Sequence, residues 1–255
     1  MYNGIGNLVS VETYAYTPAG TALSGTPTST KAFTYGDTQS PDRLTSYNGK
    51  AIIECDPDIV GLNEMRGLGS QKEYQEQVEI LARLTGLKYY YLGKAYDFPE
   101  GPYGNGFLSK IPILDVKTVI IPDPNPRKYD GYYETRGIIV AKLEGDISVL
   151  VTHIGLNPDE KENAVCTLCE NIAPSRCVLM GDFNMKPNDE ILAPIFDRMT
   201  DTAKGFCDDK LSFPSDNPEC KIDYIWVSRD ARVISADIPE IIASDHRPHV
   251  ACVEF

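Results

Sequence analysis

From residue 42 onward, short apolar runs interleave with stretches of helical period. Residues 59–62, Ile-Val-Gly-Leu, follow Asp56-Pro57-Asp58 and read as a short buried strand. Residues 71–85 set Tyr74, Val78, Leu81 and Leu84 on one side of a helix. Residues 117–121 and 137–143 are rich in branched side chains and predict strands. Residues 148–152 predict another strand, and 159–172 then return to helical period through Val165, Leu168, Cys169 and Ile172. Residues 177–180, 222–227 and 250–254 complete the strand set. Strands interleaved with amphipathic helices predict an α/β chain whose sheet faces are covered. This pattern fits a doubly wound sheet and two stacked sheets flanked by helices equally well.

The first part of the chain is different. Residues 4–42 are dominated by Gly, Ser, Thr, Pro and Tyr, and read as a long loop-rich segment with room for one hairpin. Loops of that length are usually functional or disordered. The 255 residues suffice for one large core, so a single domain over 1–255 is expected, as a monomer. No apolar run approaches the roughly 20 residues of a membrane-spanning helix. The first seven residues lack the basic start and apolar block of a secretory signal. The seven cysteines are scattered, and Cys166-x-x-Cys169 has no second pair at zinc-ribbon spacing. They read as small, reduced hydrophobes, which suggests a cytoplasmic compartment.

Several predicted strands run into polar residues at their carboxyl ends. Residues 59–62 lead to Asn63-Glu64, 149–152 to His153, and 178–181 to Asp182-Phe183-Asn184. Two further groups are Lys221-Ile222-Asp223-Tyr224-Ile225 and Ser244-Asp245-His246-Arg247-Pro248. Strand ends converging on one rim are where a scaffold presents reactive groups. Each group also has a plainer explanation. Glu64 alone is a solvated acid, and Ser244-Asp245 could start a helix. Tyr103-Gly104-Asn105-Gly106 reads most simply as a turn, and His249 as structural.

Taken in order, Asp58-Ile59-Val60-Gly61-Leu62-Asn63-Glu64, Gly181-Asp182-Phe183-Asn184, Ile222-Asp223-Tyr224-Ile225 and Ser244-Asp245-His246-Arg247-Pro248 resemble the motifs of the endonuclease/exonuclease/phosphatase superfamily. Pancreatic-type deoxyribonuclease, apurinic endonucleases, inositol-phosphate 5-phosphatases and neutral sphingomyelinases belong to it. The resemblance runs over about residues 42–255. It implies a four-layer α/β (α+β) sandwich, with two packed mixed β-sheets flanked by helices, as in deoxyribonuclease I. It also implies a Mg2+-dependent hydrolase of phosphoric esters, with Mn2+ as a possible substitute.

By that resemblance Glu64 is the principal metal ligand and Asp245 a second, direct or through water. Magnesium takes hard oxygen ligands and keeps several waters, so one or two carboxylates can hold it. The family's first strand ends in an asparagine that supports the metal. Only Met1 and Tyr2 precede Asn3, too few for that strand, and Asn3 is carried as the nearest candidate. Asp223 and His246 would form a dyad that positions or deprotonates the attacking water, or polarises the phosphate. Asp182 and Asn184 would orient water or protonate the leaving oxygen. His153, if charged, would stabilise the pentavalent phosphate. Asn105, Arg136 and Asn157 are candidates for substrate binding, Arg136 as a bidentate phosphate clamp or a surface ion pair.

A formal charge of −13 argues against a protein that grips long nucleic acid by its phosphates. The expected substrate is therefore a small phosphorylated molecule or a lipid headgroup. The alternatives are a nuclease acting on DNA or RNA with the same residues, and a non-catalytic binding domain on the same fold. A nuclease would need a local basic groove or stacking aromatics, for which Tyr89-Tyr90-Tyr91 and Tyr132-Tyr133 are candidates.

Overall fold

The computed structural model describes residues 52–70 and 75–255, together with two short strands nearer the amino terminus. Those two, β1 (Ser10–Thr13) and β2 (Ser29–Ala32), pair antiparallel within the loop-rich segment. Asn3 and Tyr74 lie outside the described residues.

Strands β3 (Ile59–Arg66), β4 (Tyr89–Phe98) and β5 (Gly101–Ser109) form one antiparallel sheet with β5 in the centre. The larger sheet takes β6 (Ile113–Ile120), β7 (Gly137–Leu143), β8 (Ile147–His153), β9 (Cys177–Asp182), β10 (Met199–Asp201) and β11 (Asp223–Ser228). Its order is β10-β11-β9-β8-β7-β6. Among the described strands only β8 and β9 run parallel, which needs a crossover, and helix Pro158–Asn171 supplies it. Strands β12 (Arg232–Asp237) and β13 (Val250–Glu254) pair with each other at one side.

The period-two alternation of the strands divides the apolar residues among three interfaces. Phe107, Ile139, Val149, Val151, Val178, Met180 and Val227 fill the space between the two sheets. Their strand neighbours Ile138, Leu150, Leu179, Tyr224 and Trp226 face the other way, against Val165 and Leu168 of the crossover helix. Leu108 and Met65, on the small sheet's outer face, pack against Val78 and Leu81 of helix Gln77–Thr85. Helix, small sheet, large sheet, helix: the chain is a four-layer α+β sandwich. Leu84, placed by its spacing on the buried face, is 46% exposed, because Val78, Leu81 and Ala82 already cover the strands. Among the described residues no helix is long and apolar enough to cross a membrane.

The segment around Asn105 is not a turn. It is the middle of β5, where glycine serves close packing. A Cβ on Gly104 would collide with the Gly93 carbonyl of β4, and one on Gly106 would lie 2.9 Å from a Val78 methyl. Gly93 in turn lies directly beneath Ile139 of the facing sheet. Glycines that read as loop signals are here the price of stacking two sheets.

Candidate active site

Three neighbouring strands end on one rung. His153 of β8 is in register with Asp182 of β9, and Asp182 with Asp223 of β11. In-register residues point to the same side of a sheet. These three continue the rows Val149–Val151, Val178–Met180 and Ile225–Val227, so they face the small sheet where the inter-sheet core ends. Gly181 shapes this point. Its φ of +144° is awkward for an L side chain, and a Cβ there would strike the Thr152 carbonyl.

The small sheet answers with amides. Asn63 of β3 donates to the Thr152 carbonyl at 2.8 Å and to Asn105 Oδ1 at 2.9 Å. Its own Oδ1 accepts from the Asp182 N–H at 3.0 Å. Asn105 donates onward to the Gly137 carbonyl at 2.8 Å. One asparagine thus ties both sheets to the backbone that carries Asp182. In the sequence Asn63 is overshadowed by its neighbour Glu64, the residue to which the family resemblance gives a role. The signal was the alternation itself, which puts Gly61 and Asn63 together on the inter-sheet face. Glu64 follows in a β-bulge between Leu62 and Met65, with φ +56°, a conformation that a non-glycine residue adopts at a cost of about 1–3 kcal/mol.

His246 arrives from the loop before β13. Its Nδ1 is 2.8 Å from Asp223 Oδ2 and its Nε2 is 3.9 Å from Asp182 Oδ2. The loop is pinned by Ser215 N–H donating to the Asp245 carbonyl at 2.7 Å and Arg247 N–H to the Ser212 carbonyl at 2.7 Å. Phe213 packs on the imidazole with ring centres 4.7 Å apart. The Asp245 side chain is exposed. Asn184, with φ +51°, gives its N–H to Asp182 Oδ1 at 2.8 Å and its amide to the Ile154 carbonyl at 2.9 Å. His153 Nε2 lies 3.4 Å from Asp182 Oδ2.

Burial opposes the charged form of both central groups, and their neighbours decide the outcome. Burial raises the Asp182 pKa well above the usual carboxylate range, and the charge of Asp223 raises it further. Burial alone would lower the His246 pKa. The hydrogen bond and charge of Asp223 overturn that and push it up to about 9. Asp182, Asp223 and His246 bring one ligand atom each within 4.8 Å of one another. Two carboxylates that repel one another, one of them driven toward its protonated form by burial and then by that repulsion, form a donor set a hard divalent cation would relieve.

The expected substrate-binding residues are placed as follows. Asn105 is 3% exposed and bonded between the sheets. Asn157 caps the crossover helix, its N–H and amide both donating to Glu160 at 3.0 and 2.7 Å. Arg136 Nη1 pairs with Glu134 at 2.7 Å and touches His153 Nδ1 at 2.9 Å. His249 is half-buried overall but its ring is enclosed. Its Nε2 lies 3.2 Å from Thr202 Oγ1, and burial holds its pKa below the ordinary histidine range. All seven cysteines are free, and burial lifts Cys177 to about 11.

A two-sheet sandwich with carboxylates and histidines gathered at the mouth between its sheets defines a deoxyribonuclease I-like protein. The endonuclease/exonuclease/phosphatase family profile matches residues 35–246, and the chain belongs to that family. Family members are phosphoester hydrolases that generally use a divalent metal. No curated protein sequence matches the chain significantly. Solved structures share its fold at low identity. An endonuclease/exonuclease/phosphatase from Beutenbergia cavernae is 20% identical with a TM-score of 0.63, over 82% of this chain and 65% of that one. The mannosyl-6-phosphatase of Bacteroides thetaiotaomicron is 15% identical with a TM-score of 0.65, over 83% and 90%. A 3′ phosphatase from Neisseria, bound to product DNA hairpin, is 18% identical with a TM-score of 0.53, over 82% and 93%.

Proposed function

We propose that the chain is a Mg2+-dependent hydrolase of small phosphorylated molecules or lipid headgroups. The observation that carries this reading is the shared rung of His153, Asp182 and Asp223, closed from the loop side by His246. The net charge of −13 favours a compact anion over a nucleic-acid duplex.

In this reading Glu64 and Asp245 would hold the cation, with Asn3 as a neutral ligand. When bound, it would neutralise phosphate charge at the reacting centre. The chain's own groups do the rest. Asp223 fixes the His246 tautomer, leaving Nε2 to face the Asp182 carboxylate and the phosphate. Asp182, with a pKa raised toward neutrality, can exchange a proton with the attacking water or the leaving oxygen. Asn184 fixes the Asp182 carboxylate through its N–H and presents an amide to a phosphate oxygen.

The test is hydrolysis of p-nitrophenyl phosphate, bis-p-nitrophenyl phosphate, a panel of sugar and inositol phosphates, and plasmid DNA, each with Mg2+ and with EDTA. Mg2+-dependent turnover of a small ester supports the proposal. Cleavage of DNA alone would replace it with the nuclease reading. Binding without turnover in any assay would favour a non-catalytic domain.

A further inference from the structure

Arg136 stands beside the site without facing it in the way a phosphate clamp would. Its side chain is 12% exposed, and Nη1 meets Glu134 at 2.7 Å, His153 Nδ1 at 2.9 Å and, more distantly, the Tyr103 hydroxyl at 3.5 Å. Glu134 is itself held. Its Oε2 accepts from the Tyr132 hydroxyl at 3.2 Å, and its N–H donates to Glu160 Oε1 at 3.3 Å. A guanidinium carries only donors and stays charged in proteins. The His153 nitrogen facing it must therefore accept, so it carries no proton.

A neutral imidazole has one N–H. With Nδ1 accepting from arginine at 2.9 Å, that N–H sits on Nε2, which lies 3.4 Å from Asp182 Oδ2 and 3.4 Å from the Asn184 amide nitrogen, a donor whose shorter bond at 2.9 Å goes to the Ile154 carbonyl. We propose that Arg136 is a positioning residue that locks His153 as its neutral Nε2–H tautomer, a fixed donor aimed at the reacting centre. His153 then serves by hydrogen bonding and not by positive charge, which revises the role that the family resemblance suggested. The row Tyr132–Glu134–Arg136–His153 forms a relay that fixes the donor's direction before substrate arrives. Pre-aligned donors of this kind need no reorganisation during the reaction.

The inference rests on the hydrolase reading for its kinetic arm only. The first arm is 15N NMR of histidine-labelled full-length protein at pH 7. Three histidines make assignment direct, by comparison with His153→Gln and His249→Gln spectra. An unprotonated Nδ1 with a protonated Nε2 at His153 is expected. A doubly protonated ring, or a proton on Nδ1, overturns the proposal whether or not any substrate has been found.

The second arm is a double-mutant cycle on the preferred ester. Arg136→Met should lower kcat by roughly 10–100-fold, the cost of a misaligned group, while KM stays within a factor of about 3. Arg136→Lys should recover part of the loss. In a His153→Gln background Arg136→Met should cost almost nothing more, since its partner is gone. A raised KM with unchanged kcat would make Arg136 a phosphate clamp, and an undiminished loss in the His153→Gln background would show that it acts alone. Either result overturns the positioning role.

Discussion

His153 and His246 approach Asp182 from opposite sides, one from the rung of β8 and the other from the loop before β13. Both point Nε2 at the same carboxylate oxygen, at 3.4 and 3.9 Å. They differ in what holds the far nitrogen. Arg136 donates to Nδ1 of His153, whereas Asp223 accepts from Nδ1 of His246. The first arrangement favours a neutral ring and the second a cation. Two imidazoles facing one acid are thus given different charges by the residue behind each, and identity at the front says little about role.

The largest effect should come from breaking the His246 half. His246→Gln is expected to lower kcat by about 10²–10⁴-fold, the usual range for losing an acid–base group, with near-ultraviolet circular dichroism unchanged. Glu64→Ala should act in the same direction, because in the proposed reading it is the principal ligand of the cation. Retention of wild-type kcat in either variant would remove that residue from the mechanism.

Asp223→Asn is the next test, and it isolates the partner effect. Losing the carboxylate should return the His246 titration from about 9 toward the ordinary value of about 6.5 or below, since burial then acts unopposed. The sign for stability follows. A folded pKa above the unfolded one stabilises fully below about 6.5, and that contribution is lost as pH rises through about 9. Urea midpoints of the metal-free protein should therefore fall over this window, and Asp223→Asn should flatten the fall.

Asn63→Leu should destabilise by roughly 3 kcal/mol, because it leaves the Asp182 N–H, the Thr152 carbonyl and Asn105 Oδ1 short of partners in a buried place. Urea unfolding would measure this, and a change under about 0.5 kcal/mol would show that the sheets do not depend on it. Asp182 gives a smaller shift of opposite sign. Its raised pKa means the folded protein binds the extra proton, so stability falls as pH rises above the ordinary carboxylate range. Asp182→Asn should stabilise the metal-free protein at pH 8 while abolishing turnover. Cys166→Ser on the exposed helix surface should change stability by no more than about 0.5 kcal/mol.

Much of this was legible in the residues, for reasons that differ along the chain. The buried strands of the large sheet announced themselves as branched apolar runs, and 137–143 and 250–254 match β7 and β13 residue for residue. The helix read at 159–172, between 148–152 and 177–180, is the crossover that lets β8 and β9 run parallel. The small sheet was only partly legible: 59–62 announced β3, while β4 and β5 were hidden. Strands β4 and β5 carry glycines wherever another backbone or a facing side chain comes close, and glycine in sequence signals a turn. The candidate site residues stood out because they fall in short polar motifs, several of them at strand ends. Asn63, whose importance lies in its three bonds to distant residues, and Arg136, whose partner is a ring nitrogen on another strand, became visible only in three dimensions.

The most direct measurement is steady-state hydrolysis across the phosphate ester panel by wild-type and Asp182→Asn protein, with Mg2+ and with EDTA. Turnover of a small ester that vanishes in EDTA and in the variant is the expected result. Turnover indifferent to both, or none from wild type on any ester despite measurable substrate binding, would contradict a metal-dependent hydrolase built on this rung.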